Sequence, residues 1–216
     1  MLNRHEIPDI ELRTKLADRG LCCHLLISKK DGEATFPLLL CSELQDLTAA
    51  SYGRKLSPEH VVYETWAVTI GPPSGPPVAC STLSFRLDFP SFFTTRFEAV
   101  HPTVQKTGLG RLLYECIAVW IKFLIFNDPL VTEGVMQSLG TYYLVSCIDA
   151  PNQQDWESVS DNPEGHGTFL RKLGFIRAQH DFDQQEDEIA FQREFHIPIH
   201  EELEEKLGLP ARPSTA

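Results

Sequence analysis

The sequence predicts a single mixed α/β layer fold, and three observations carry that reading. Apolar runs rich in β-branched and aromatic residues alternate along the chain with segments of helical periodicity. Residues 94–100 and 142–148 read as strands on either side of a long apolar helix, the pattern of one right-handed crossover between parallel strands. A length of 216 residues, with 42% hydrophobic and 23% charged side chains, suits one domain with short extensions and excludes wholesale disorder.

The elements follow in chain order. Residues 1–20 are polar and read as an arm or a short helix. Residues 22–28 form an apolar run that ends at the turn signal Lys29-Lys30-Asp31-Gly32, so they read as a strand. Residues 36–52 carry good helix formers and predict one or two helices ending at Gly53. Residues 63–70 and 78–89 read as a strand pair. The segment between them is Gly-Pro-Pro-Ser-Gly-Pro-Pro, which proline excludes from helix and central strand because it lacks an N–H donor. This pair predicts a hairpin with a stiff tip; the same composition also suits a ligand for an aromatic-lined groove.

Residues 90–93 read as an aromatic loop and 94–100 as a strand closed by His101-Pro102. From about residue 108 to 126, Leu109, Leu112, Leu113, Cys116, Ile117, Trp120 and Leu124 recur at helical spacing. Residues 142–148 are a strand, and 167–173 a short helix stopped by Gly174 in the C-cap position. Residues 175–183 and 189–195 read as strands around an acidic turn. The tail after Leu209 reads as disordered.

Charge and composition exclude several function classes. Thirty acidic against nineteen basic side chains give a net charge of −11. A general nucleic-acid binder needs the opposite surplus to displace phosphate counterions, so no nucleic-acid partner is expected, and the field favours cationic ones. The first twenty residues are charged throughout and lack the apolar core of a secretory signal. The most apolar stretch, residues 112–126, contains Glu115 and Lys122 and falls short of the about 20 residues that span a bilayer. No membrane role is expected. Six cysteines in a chain of this size without dense spacing read as buried thiols, and Cys22-Cys23-His24 has no second ligand cluster to make a metal site. These readings place the protein in a reducing, cytoplasmic setting, with the nucleus left open.

One segment carries chemistry: Val100-His101-Pro102-Thr103-Val104-Gln105-Lys106-Thr107-Gly108-Leu109-Gly110-Arg111. A strand ends at a proline, a polar loop follows, and two glycines open the apolar helix. The first N–H groups of a helix have no internal acceptor and sit at the positive end of its dipole, so they suit a phosphate. Glycines let the backbone approach such a ligand, and Lys106 and Arg111 add charge. A generic tight turn has the same composition. The loop is neither a P-loop, for Gly-x-x-x-x-Gly-Lys-Ser/Thr is absent, nor the dinucleotide fingerprint, which needs a third glycine near Leu113 and Tyr114.

This segment resembles motif A of the GNAT superfamily of N-acetyltransferases, Gln/Arg-x-x-Gly-x-Gly/Ala after a strand ending in Val-x-Pro. Phe169-Leu170-Arg171-Lys172-Leu173-Gly174-Phe175 is similar to the family's motif B, usually Phe-Tyr-x-Lys-x-Gly-Phe. The resemblance covers roughly residues 21–196, leaving 1–20 as the N-terminal arm and 197–216 as an acidic segment with a disordered tail. It implies a GNAT-like α/β (α+β) fold: a mixed, mostly antiparallel twisted sheet of six to seven strands with flanking helices and a splayed central parallel pair. It also implies acetyl-CoA as co-substrate, with no metal. The pantetheine arm would lie near Ala99 and Val100. The pyrophosphate would rest on the amides of Gln105, Lys106, Thr107, Gly108, Leu109 and Gly110 beside Arg111, with Phe169 and Lys172 closing the far side.

Transfer of an acetyl group to a primary amine, on a small molecule or a basic peptide, needs a proton acceptor because a free alkylamine is mostly protonated at neutral pH. Glu98 is the carboxylate on the central strand, and strict alternation puts it on one face with Thr94, Arg96 and Val100. It reads as a base or as a plain ion-paired glutamate. Leu170 stands where the family usually has a tyrosine that protonates the leaving thiolate. His166 is the replacement its chemistry suggests, or else a loop histidine between Gly165 and Gly167, and Tyr142, Tyr143 and Cys147 are further options. His101 reads as structural, and Phe92 and Phe93 as residues that line an acceptor pocket if their loop folds over. Because of Leu170, a non-catalytic acyl-CoA-binding or regulatory protein remains the alternative. An interaction protein using the Pro-rich tip and the acidic C-terminal end is a third reading.

Overall fold

In the computed structural model, the described residues are 3–27, 29–30, 33–34, 42–53, 66–87, 91–138, 140–149, 165–178 and 188–196. Their elements are β1 (Asn3–Glu6), α1 (Ile10–Ala17), β2 (Cys22–Ile27), β3 (Lys29–Lys30), β4 (Glu33–Ala34), α2 (Ser42–Tyr52), β5 (Trp66–Gly71) and β6 (Ala79–Arg86). They continue with β7 (Phe92–Val100), a 3-10 turn (Pro102–Val104), α3 (Leu109–Asn127), α4 (Pro129–Gln137), β8 (Thr141–Asp149), α5 (His166–Lys172), β9 (Ile176–Arg177) and β10 (Glu188–His196). An eight-stranded sheet runs in the order β1-β2-β5-β6-β7-β8-β10-β9, and β3 pairs with β4 apart from it. Every pairing is antiparallel except β7 with β8, the expected parallel crossover through α3.

The sheet holds more strands than the six to seven expected, partly because residues 3–6 add one at the edge. Residues 1–20 were expected as an arm or short helix outside the domain. The short helix is present as α1, which buries Leu12 and Leu16 in the main core, and residues 3–6 add β1, paired with β2. Asp9 caps α1 by accepting from the Leu12 amide at 2.8 Å. The C-terminal segment from 197 lies outside the described residues, as do 36–41, 63–65, 88–90 and 179–187 of the expected elements.

Alternation along the strands divides the core between the two faces. Cys23 and Leu25 of β2, Trp66, Val68 and Ile70 of β5, and Leu83 of β6 pack with α1, α3, α4 and α5. Leu26, Ala67, Cys80 and Ala99 meet Leu44 and Leu47 of α2 on the opposite face. With both faces covered, all six residues of β5 are buried, which suits its unbroken apolar run. Phe92 and Phe93 are not a loop: they open β7, 3% and 0% exposed.

Among the described residues no helix is long and apolar enough to cross a membrane. Cys22, Cys23, Cys80, Cys116 and Cys147 are all free thiols. Cys23 accepts from the Trp120 indole at 3.4 Å, and Cys22 donates to the Gly71 carbonyl at 3.3 Å, so these thiols serve packing. Contact with Cys23, then burial, pushes the Cys116 thiol up, which keeps it protonated and unreactive.

Candidate functional site

β7 and β8 pair only from Phe92 opposite Tyr143 to Thr95 opposite Ser146. Past that point β7 continues to Val100 and β8 to Asp149 without pairing to each other, so the two strands fork. The cause is visible on the other edge of β7. Against β6, Cys80 faces Ala99 and Thr82 faces Arg96, so the two residues Phe97 and Glu98 stand opposite Ser81 alone. This is a β-bulge, and Phe97 adopts φ 55°, a left-handed conformation that a bulky residue rarely takes.

The bulge corrects the expected position of Glu98. Strict alternation from Thr94 would put it with Thr94 and Arg96. The extra residue reverses the phase, and Glu98 turns to the α3 face instead. There the Tyr114 hydroxyl of α3 and the Ser146 hydroxyl of β8 both lie 2.9 Å from Glu98 Oε1, each placed to donate, and 3.1 Å from each other. Tyr114 is 7% exposed, its ring held edge-on by Phe169 at 5.9 Å and Phe175 at 5.6 Å. Burial first, and then the charge of Glu98, push its phenol well above the ordinary 10, while hydrogen bonds with Ser146 and Thr95 act in the other direction. Neither Tyr114 nor Ser146 was singled out from the sequence. The available signal was a tyrosine on the apolar stripe of a helix, since a buried phenol needs a hydrogen-bond partner.

Beyond the fork, the loop runs from the end of β7 to the start of α3. His101 Nδ1 accepts from the Thr103 amide at 3.3 Å and so caps the 3-10 turn, the structural role expected of it. Gln105 donates through Nε2 to the Val100 carbonyl at 3.1 Å, which ties the loop to the end of β7. Lys106 and Gly108 are both left-handed, at φ 63° and 84°. The N-cap of α3 is Gly108, and among the described residues no side-chain cap hydrogen bond forms there. A Cβ at Gly108 would meet nothing within 4 Å, so it is the left-handed backbone and not crowding that calls for glycine there. Thr107 donates its hydroxyl to Val104 at 2.7 Å, and its carbonyl accepts from Arg19 at 3.4 Å. Leu109 is buried, so only its main chain can serve a ligand. Arg111 pairs with Glu115 at 3.3 Å on the exposed side of α3. A cavity of about 470 Å³ opens beside the loop toward α1, between Arg19, Leu21, Pro72, Val78 and Val104.

The second motif closes the other side of α3. A Cβ on Gly110 would stand 3.3 Å from the Phe169 ring, so this glycine lets α5 approach. The helix ends in a Schellman turn: Phe175 donates to the Leu170 carbonyl, Gly174 donates to Arg171, and Gly174 takes φ 86°. Leu170 is wholly buried in the main core, and Lys172 is exposed. The His166 ring lies 5.7 Å from that of Phe169, tilted by 50°, and its Nε2 is buried without a hydrogen-bond partner among the described residues. His166 and Glu98 are thus linked through the rings of Phe169 and Tyr114, without a hydrogen bond between them.

The other expected proton donors lie elsewhere. Tyr142 packs between Phe93 and Phe195 toward the start of β8, away from the fork. Tyr143 donates to Glu194 at 3.2 Å. Cys147 packs beside Phe92 and Val145 on the opposite face. Ala99 and Val100 sit on the forked part of β7, paired with β6 on its other edge. Among the described residues no group of three or more His, Cys, Asp or Glu is placed to hold a metal.

No family profile and no curated protein matches the chain. Solved structures with a similar arrangement include a GNAT family acetyltransferase from Elizabethkingia anophelis with acetyl-CoA bound. It is 14% identical, with 82% of this chain and 99% of that one covered and a TM-score of 0.42. The ribosomal-protein-S18-alanine N-acetyltransferase of Escherichia coli is 18% identical over 72% of this chain and 87% of its own, at a TM-score of 0.40. The NatC complex bound to Gag peptide and CoA matches at 12% identity over 61% of this chain and 70% of that one, with a TM-score of 0.33. The sheet is mixed and mostly antiparallel, with one parallel pair that forks beside a Gln-x-x-Gly-x-Gly loop.

Proposed function

We propose that the protein is an N-acetyltransferase that takes an acetyl group from acetyl-CoA and passes it to a primary amine. The observation that carries this reading is the fork between β7 and β8 lying beside a helix start with no side-chain cap among the described residues. The residues fit such a co-substrate. The amides around Gly108 offer donors to a diphosphate, and the unpaired lengths of β7 and β8 offer main-chain groups to an extended pantetheine arm. When bound, acetyl-CoA supplies an activated acyl group as a thioester. Lys106 and Arg111 bring positive charge to the diphosphate, and Phe169 walls the loop on the α5 side.

Glu98 lies at the apex of the fork and is the group assigned to proton removal. The cationic amine first gives its ammonium proton to solvent, and Glu98 then takes a second proton from the attacking nitrogen as the N–C bond forms and the C–S bond breaks. That proton passes through solvent to the departing sulfur and restores the carboxylate. The acceptor is a small cationic amine or a basic peptide, in keeping with the net charge of −11. Leu170 supports a second reading, a non-catalytic acyl-CoA-binding protein, because a buried leucine cannot supply the hydroxyl that motif B usually carries.

Calorimetric titration with acetyl-CoA, followed by mass-spectrometric screening of an amine panel, separates the readings. Acetylated amine with thiol release supports the transferase, and binding without thiol release in any amine supports the second reading. Gly108→Glu is expected to abolish binding while the chain still folds, and retained affinity would overturn the phosphate cradle. Glu98→Gln is expected to lower kcat more than affinity for acetyl-CoA, and unchanged kcat removes Glu98 from the reaction.

A further inference from the structure

The Phe97 bulge, Tyr114 and Ser146 act as one device. The bulge does two things with a single extra residue. It ends the pairing of β7 with β8, and it turns Glu98 from the α2 face to the α3 face. On that face Glu98 meets two hydroxyls from two other elements. Ser146 belongs to the last pair before the strands part, and Tyr114 reaches it from the second turn of α3. Ser146 is fully buried and Tyr114 nearly so, so neither is a surface group that happens to lie near a carboxylate. The rings of Phe169 and Phe175 fix the Tyr114 ring from the α5 side. Two donors on one carboxylate oxygen, from two different elements, restrict its rotation.

We infer that Tyr114 and Ser146 are positioning residues for Glu98, holding its carboxylate at the apex of the fork so that it accepts a proton from the amine. This rests on the transferase reading and deepens it, for the missing hydroxyl at Leu170 leaves Tyr114 and Ser146 as the hydroxyls gathered at Glu98. The tyrosine belongs to α3 rather than to motif B, and it acts through the carboxylate instead of on the leaving sulfur. Both hydroxyls stay protonated throughout and transfer no proton themselves.

The test compares Tyr114→Phe, Ser146→Ala and Glu98→Gln, each alone, with both hydroxyl variants also made in the Glu98→Gln background. Three quantities are measured: acetyl-CoA Kd by calorimetry, kcat and KM for the amine, and the melting temperature. Tyr114→Phe and Ser146→Ala are each expected to lower kcat about tenfold, the loss expected of one hydrogen bond to a charged group. Acetyl-CoA Kd stays within about twofold of the parent. Neither substitution lowers kcat further once Glu98 is glutamine, because both act through that carboxylate. Losses that add in the Glu98→Gln background, a kcat unchanged in both hydroxyl variants, or a weakened acetyl-CoA Kd that tracks the lost activity would each overturn the inference while leaving the transferase reading in place. A parent chain that binds acetyl-CoA and turns over no amine overturns both.

Discussion

Gly108 and Gly110 stand two residues apart for different physical reasons. Gly108 has φ 84° with open space where a Cβ would point, so its requirement is conformational. Gly110 has ordinary helical geometry with the Phe169 ring 3.3 Å from its missing Cβ, so its requirement is steric. Gly108→Ala is expected to cost about 1 kcal/mol of stability, the penalty of holding an L side chain in the left-handed region. Gly110→Leu must push Phe169 off Tyr114 and is expected to cost about 1–3 kcal/mol, the usual range for overpacking. Urea unfolding of both variants checks the pair, and a Gly110→Leu chain as stable as the parent would sink the packing account. The two glycines were legible in sequence as a pair opening a helix; their separate roles were not, because Phe169 lies 59 residues away along the chain. Glu98 shows the same limit. Its residue type and strand could be read, but its face could not, since one bulged residue inverts every later side chain in the strand without any mark in composition.

At the level of elements, α4 shows what a closer reading of local chemistry would have found. Its start is Asp128-Pro129, an N-cap carboxylate followed by proline at the first helical position. The Asp128 carboxylate accepts from the amides of Leu130 at 3.1 Å and Val131 at 3.4 Å. Asp128→Ala is expected to cost about 1 kcal/mol with an unchanged dependence of unfolding on urea, which equilibrium unfolding measures directly. The signal was weak because the whole stretch from α3 onward is apolar, so the break between two helices rests on those two residues. By contrast α3, β8 and α5 follow their expected bounds closely, since each has strong periodicity and a glycine or proline at its margin. β1 escaped notice because four polar residues at a sheet edge carry no hydrophobic pattern. They are strand only because β2 offers its backbone to them.

The stability of the whole molecule depends on pH through its enclosed phenols. Burial pushes Tyr142 up to about 12, with Arg193 opposing slightly, as its ring stacks on Phe195 at 5.3 Å and meets Phe93 edge-on at 5.8 Å. A phenol whose folded pKa lies above its unfolded value of about 10 favours folding while it is neutral. That contribution, about 2–3 kcal/mol from the two-unit difference, is complete below about pH 10 and disappears as pH rises toward 12. Tyr114, raised in the same direction, adds to the alkaline loss. Tyr142→Phe is expected to lessen the fall in urea midpoint between about pH 9 and 11.5, and an undiminished fall would assign the alkaline sensitivity elsewhere. On this scale the architecture was the most legible feature, since element order and one crossover suffice to specify a mixed sheet. The unpaired ends of β7 and β8 came only through the motif resemblance, because a fork is a missing set of hydrogen bonds and leaves no residue to announce it. The sheet is in effect two antiparallel plates riveted along four residue pairs, Phe92 to Thr95 against Tyr143 to Ser146, the shortest of its interior junctions. A guest wedged into the gap beyond the last rivet loads that seam directly, so deuterium uptake at Thr94 and Val145 becomes a gauge, set inside the sheet, of whether the gap is filled.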